Sequence, residues 1–307
     1  MKACSVVIKM PIVISLIVSV GVIALLAGCS SSSENSKSGS SGEIVTSLYP
    51  IEFIVSKIIK DDFEVVNLTP IGVEPHDFEL NVNSTERLLS APLAIVLGGG
   101  FQPVIEKTAK NRSGQTLSIF ETFSQGNGNF EDMHFWLDPI KMQSVVKSIT
   151  SALIKLNKSQ AAQYEVRSKA LQTELADLDD LYKTSLTNCE IRTFITSHNA
   201  FSRLAERYDL EQEPIAGISP DTEPSAKRIE ELKSLVKNKK IEVIFTEELV
   251  SPKVVKILGK EAKVRTSVLS PLEGLTKEQE SKGEDYFSIM ESNLQKLVEA
   301  LRCEIQI

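Results

Sequence analysis

Residues 191–210 read IRTFITSHNAFSRLAERYDL. The opening IRTFITS is an apolar, β-branched run of strand length. HNAFSRLAERYDL has apolar residues at helical spacing and starts straight after it. A strand that hands directly to a helix is the repeating unit of a parallel sheet with helices on both faces. His198 sits at the handover.

The pattern continues in both directions. Toward the C-terminus, EPIAGISP reads as strand and turn, PSAKRIEELKSLVKNKK as helix, IEVIFTEE as strand and SPKVVKILGKEA as helix. Toward the N-terminus, EIVTSLYP is a strand stopped by Pro50, and a helix follows with Ile51, Ile54, Val55, Ile58 and Ile59 at helical spacing. EVVNLTPI is a second strand, STERLLSAP a short helix with Ser84 as its cap, LAIVLGGG a third strand and QPVIEKTAK a helix. Gly72-Val73-Glu74-Pro75-His76 and Gly217-Ile218-Ser219-Pro220-Asp221 match in spacing, each followed by a short helix and an apolar strand. The fold class expected is α/β: two similar lobes with mostly parallel sheets flanked by helices.

A long helical region lies between the halves. Asp138-Pro139 supplies a cap and a first-turn proline, and the pattern runs to about Leu156. After a break at Asn157–Ser159, QAAQYEVRSKALQTELADLDDLYKTSL stays helical with Leu171, Leu175, Leu178 and Leu181 as its buried stripe. At ~1.5 Å per residue it would be a rigid rod of about 40 Å. The expected organisation is an N-terminal lobe over 43–157, a linking helix over 158–187 and a C-terminal lobe over 188–307.

The first 28 residues stand apart. Lys2 and Lys9 precede an apolar run from Met10 to Leu26, and LAGCS ends it, which describes a secretory signal. Leu26-Ala27-Gly28-Cys29 resembles the bacterial lipobox and predicts cleavage before Cys29 and lipidation on it. The run is short for a membrane span and lacks a basic stop. Residues 29–42, with SSSSENSKSGSSG, form a flexible tether behind the anchor. The protein is expected to be exported and lipid-anchored to the cell membrane, facing the periplasm or exterior.

Without Lys2 and Lys9 the 34 basic residues fall to 32 against 41 acidic ones. This acidic balance argues against nucleic acid as a partner. Of four cysteines, Cys4 leaves with the signal and Cys29 takes the lipid, so Cys189 and Cys303 remain. In an oxidising compartment they suggest one disulfide pinning the last helix to the second lobe; two buried free thiols are the alternative.

The chain has three histidines, and each lies at a predicted strand or loop end: His76 in GVEPHDFEL, His134 in NFEDMHFWLDP and His198 in ITSHNAF. In open α/β sheets ligands collect beyond the carboxyl ends of the strands. Three neutral imidazoles converging there suit a borderline-soft divalent ion, above all Zn²⁺. Glu247-Glu248 ends a strand on the same side and is either near the metal or a solvated pair. Gly98-Gly99-Gly100 reads as a tight turn, since no phosphate-loop Lys-Ser/Thr follows. Trp136 reads as packing. Ser197-His198 lacks a third group for nucleophilic catalysis.

SLYPIEFIVSKI, GVEPHDFEL, HFWLDP, TFITSHNAFSRLAERYDL, GISPDTEPS and DYFSIMESNLQKLVEAL together resemble the solute-binding lipoproteins of metal-ion ABC importers, the zinc/manganese group of cluster A-I. The resemblance implies two α/β lobes on a rigid backbone helix, with the metal between them and His76, His134 and His198 as ligands. It implies delivery of Zn²⁺ to a membrane permease by a likewise monomeric carrier, with Mn²⁺ or Fe²⁺ as the alternative cargo. A three-histidine zinc hydrolase or lyase is the competing class, although no general base is nominated; an adhesin-like surface role is a third. Two departures stand out. Ser270 of VLSPLEGL occupies the position where the family often has a ligand aspartate, which leaves the fourth position to water, Glu247, Glu273 or Ser270. FETFSQGNGNFED, before the second ligand, contains no histidine for a metal-collecting loop.

Overall fold

The computed structural model describes residues 42–124 and 132–304. The signal, Cys29 and almost all of the tether lie outside the described residues. Strands β1 (Glu43–Thr46), β2 (Glu64–Asn67), β3 (Leu93–Val96) and β4 (Gln115–Ser118) form one sheet in the order β2-β1-β3-β4. Strands β5 (Thr193–Thr196), β6 (Glu211–Pro214), β7 (Val243–Thr246) and β8 (Arg265–Val268) form the other in the order β6-β5-β7-β8. Every pairing is parallel, with Val45 opposite Ala94 in the first sheet and Ile195 opposite Ile244 in the second. The two halves share one topology.

Central strands β3, β5 and β7 are buried along their whole length, which is why they read as apolar runs. Edge strands tell a different story. β4 (QTLS) and β8 (RTSV) carry polar, half-exposed residues and no apolar run, so the sequence pattern misses both. The strand expected in EPIAGISP lies earlier, at the polar edge segment Glu211–Pro214. The helix expected straight after β5 begins only at Ser202, because residues 197–199 form a bend that carries the buried His198.

Helix starts follow their caps. Pro50 lies in the first turn of the Tyr49–Ile59 helix, whose buried side includes Ile51, Ile54, Val55, Ile58 and Ile59. Asn81, not Ser84, caps the Val82–Ser90 helix: the Asn81 side chain accepts from Ser84 N at 2.9 Å, and Ser84 Oγ accepts from Asn81 N at 2.9 Å. This reciprocal box puts Ser84 in the third helical position. The Asp138 carboxylate accepts from Ile140 N and Lys141 N at the head of the Pro139–Leu156 helix.

The 26-residue Ala161–Leu186 helix packs along Pro139–Leu156 and touches both Tyr49–Ile59 and the last helix, Tyr286–Ala300. It therefore braces elements from both halves. Its buried stripe contains Tyr164, Leu171, Leu175, Leu178, Tyr182 and Leu186. Leu181, expected in that stripe, is 45% exposed. The i+4 step from Leu178 lands on Tyr182, whose hydroxyl donates to Met290 O at 2.6 Å. Past the last helix, Cys303 is disulfide-bonded to Cys189, and Ile191 N donates to Leu301 O at 3.0 Å, so residues 301–303 close against the start of the second sheet. Among the described residues no helix is long and apolar enough to cross a membrane.

Candidate metal centre

In each sheet the strand order reverses direction between its two central strands, β1/β3 and β5/β7, and such a switch point opens a crevice at the carboxyl ends. Ser197-His198 follows β5 directly and Glu247 follows β7 directly. The second switch point thus places His198 beside Glu247. Glu247 Oε1 accepts the backbone N–H of His198 at 3.2 Å, and Oε2 stands 2.7 Å from ring Nδ1.

His134 comes from the segment just before the turn Phe135–Leu137. It is held in the same way: Asp132 Oδ1 accepts its backbone N–H at 3.0 Å and stands 2.6 Å from ring Nδ1. Trp136 is buried and donates from Nε1 to Pro271 O at 2.7 Å, tying this segment to the loop after β8. His76 lies in the loop after β2. Gln102 Nε2 donates to Ser47 O at 3.2 Å and Thr69 Oγ1 at 3.0 Å, and it reaches Pro75 O at 3.5 Å. The His76 ring packs on Phe101 with centroids 4.1 Å apart. Gly72 adopts φ +80° and donates its N–H to Leu275 O at 2.8 Å, which straps the His76 loop to the same post-β8 loop.

That loop delivers Glu273. Leu272, immediately before it, is buried with φ +57°, a conformation that costs a branched residue energy and is held by the contacts around it. Glu273 Oε1 lies 2.9 Å from His134 Nε2, 3.2 Å from His198 Nε2 and 3.5 Å from His76 Nε2. One ligand atom from each of the four residues falls within 4.8 Å of all the others. Three imidazole nitrogens and one carboxylate oxygen fit the tetrahedral preference of Zn²⁺.

Ser270 stands elsewhere. Its backbone N–H donates to Asn293 Oδ1 at 2.9 Å, its carbonyl accepts from Asn293 Nδ2 at 2.7 Å, and its hydroxyl accepts from Leu272 N at 3.3 Å. Glu247 is spent on His198. Of the fourth-position candidates in the chain, the structure brings Glu273 to the histidines. Asp132, two residues before His134, escaped the sequence reading; an acidic residue that close to a candidate ligand was the available signal.

The electrostatics are those of a charged, closed pocket. Burial pushes the Glu273 carboxyl up, but the rings of His134, His198 and His76 outweigh it and hold it well below the usual carboxylate range. Burial pulls His198 down, but Glu247 and Glu273 overcome this and raise it to about 10. His134 is likewise raised, with Asp132 and Glu273 overcoming burial. Without metal, these raised values favour a proton on each of the two rings. Zn²⁺ bound to neutral rings carries the same charge as the two protons it displaces. Neutral rings that give Nδ1–H to Asp132 and Glu247 turn the Nε2 lone pairs toward the metal position.

Fold and site together place the chain among solute-binding proteins that hold a metal ion between two α/β lobes. It belongs to the ZnuA family, "Zinc-uptake complex component A periplasmic", whose model matches residues 44–300. The "High-affinity zinc uptake system protein ZnuA" of Bacillus subtilis (strain 168) is 36% identical over 300 residues, 90% of this chain and 94% of that protein. The "Zinc-binding protein AdcA" of Streptococcus pyogenes serotype M18 is 31% identical over 283 residues, and the match spans 83% of this chain but only 55% of that longer protein. Among solved structures, the Zn(II)-bound ZnuA-like domain of Streptococcus pneumoniae AdcA is 32% identical with a TM-score of 0.73, covering 85% of this chain and 99% of that one.

Proposed function

We propose that this protein captures Zn²⁺ in the cleft between its lobes through His76, His134, His198 and Glu273 and delivers it to the membrane permease of an ABC importer. The observation that carries the reading is the convergence of those four ligand atoms within 4.8 Å, with His134, His198 and Glu273 buried. A nitrogen-rich site with one oxygen favours Zn²⁺ over Mn²⁺, which prefers oxygen and stands lowest in the divalent series. Family membership supports a carrier rather than a catalyst. With Glu273 in the fourth position the protein itself supplies a full tetrahedral set, as in a closed site rather than one that keeps a place for reacting water.

In this reading residues 43–157 and 188–307 are the two jaws and residues 158–187 the rod that sets their separation. Cys29 carries the lipid that keeps a monomeric carrier near its permease on the outer side of the membrane. The test is a competition titration of Zn²⁺ against Mn²⁺ on the mature protein, with His76→Ala, His134→Ala and His198→Ala alongside. Wild type should bind one Zn²⁺ with strong preference, and each variant should lose affinity. Equal affinity for the two metals, or three variants that bind like wild type, would refute the proposal.

A further inference from the structure

The two buried histidines are clasped alike, yet the clasps differ in where their carboxylates are anchored. Glu247 follows β7, the neighbour of β5, so it holds His198 from within one sheet. Asp132 holds His134 with one oxygen and reaches across to the other lobe with the second. Its Oδ2 accepts a hydrogen bond from the Ser202 hydroxyl. Its backbone carbonyl faces Arg203 Nε and Nη2 at 3.4 Å each. Ser202 opens the helix that follows the His198 turn. The Asp132 carboxylate that makes both contacts is buried.

We infer that Asp132 is a positioning residue that couples lobe docking to the ligating form of His134. Oδ1 fixes the Nδ1–H of the ring and so turns Nε2 toward the metal. Oδ2 is held in place by Ser202 of the opposite lobe. When the lobes separate at this contact, the carboxylate loses one of its two anchors and the His134 clasp loosens, while the His198 clasp stays intact. Zinc release would then start at His134, set off by the same movement that opens the cleft. The assignment of zinc rests on the function proposed above; the clasp itself does not.

Two readouts test it. The first is the downfield imidazole N–H resonance of His134 and its exchange with solvent, followed by NMR in metal-free and in zinc-loaded protein. The second is the rate of zinc loss to a chelator in excess. In wild type the His134 Nδ1–H should be protected in both forms. Asp132→Ala should abolish that protection and speed zinc loss by about 10–100-fold, the scale for removing a carboxylate behind a ligand histidine. Asp132→Asn, which keeps the shape with a weaker acceptor, should show faster exchange at His134 and serves if the alanine variant fails to fold. Ser202→Ala should keep the His134 resonance but exchange it faster and release zinc several-fold faster, with the His198 resonance unchanged. Protection of His134 that survives in both Asp132 variants would overturn the clasp. A Ser202→Ala protein with wild-type exchange and release would overturn the coupling. Wild type that binds no zinc but shows the protected resonance would defeat the functional reading and leave the clasp standing.

Discussion

Glu273 Oε1 lies 2.9 Å from His134 Nε2, although 139 residues separate them in the chain. The contact exists because the loop after β8 is strapped to the first lobe at two points, Trp136 to Pro271 and Gly72 to Leu275. Replacing Glu273 by Gln keeps the shape and removes the carboxylate charge that faces the Nε2 atoms of all three rings. Zinc affinity should fall by more than the ~10–100-fold typical of losing a partner behind the ligands, and titration of the variant checks this.

Ser270→Asp should not create a manganese site. The backbone at Ser270 is held from both sides by Asn293, and its side chain faces the Glu248 carboxyl. A buried aspartate there meets like charge instead of the metal. The variant should lose roughly 3 kcal/mol of stability, the scale of an uncompensated buried charge, with the Zn²⁺ over Mn²⁺ preference unchanged. Denaturant unfolding and metal competition read the two effects separately.

The raised pKa of His198, about 10, and the raised pKa of His134 set the sign of the pH response. A histidine whose folded pKa exceeds its unfolded value of ~6.5 stabilises the folded protein fully below that value. The contribution is lost as pH rises through the folded pKa. The depressed Glu273 acts in the opposite sense: its contribution is present above the unfolded carboxyl pKa and disappears as pH falls through the folded one. Metal-free protein should therefore weaken from about pH 6.5 toward pH 10, and zinc affinity should still be rising over that window as protons leave the rings. Unfolding of the metal-free form across that range measures the first effect. Calorimetry in buffers of different ionisation enthalpy should show protons released on zinc binding near pH 7.

Tyr182 and Leu181 are adjacent but not equivalent. Tyr182→Ala removes a buried ring and its hydrogen bond to Met290 and should cost about 3–5 kcal/mol. Leu181→Ala, at an exposed position, should stay within about 0.5 kcal/mol. Thermal unfolding of the two variants separates them.

Cys189 and Cys303 close a loop with a sequence separation of 114. Both should resist thiol labelling until the protein is reduced. Chain-entropy arithmetic puts the loss on reduction at up to about 4–5 kcal/mol, and denaturant unfolding with and without reductant measures it.

Much of this architecture is legible in the sequence because the central strands are buried on both faces and read as apolar runs, as in LAIV and VIFT. β4 and β8 are not legible, since QTLS and RTSV lie at sheet edges where polarity is tolerated. The Ser84 and Leu181 readings each err by a local shift, from cap to third helical position and from one stripe residue to its neighbour. The three histidines stand out through their scarcity and their positions at loop ends. Glu273 remains one candidate among several in the sequence, because only the Leu272 turn and the straps from Trp136 and Gly72 aim it inward. Asp132 stays hidden for a similar reason: its role depends on Ser202, seventy residues away in the chain.

The most direct test is zinc K-edge X-ray absorption on the mature protein loaded with one equivalent of Zn²⁺, repeated on Glu273→Gln. The account predicts a four-coordinate ion with three imidazoles and one carboxylate oxygen at about 2.0–2.2 Å, and an altered oxygen shell in the variant. A wild-type spectrum with fewer than three imidazoles, or one that Glu273→Gln leaves unchanged, would contradict it.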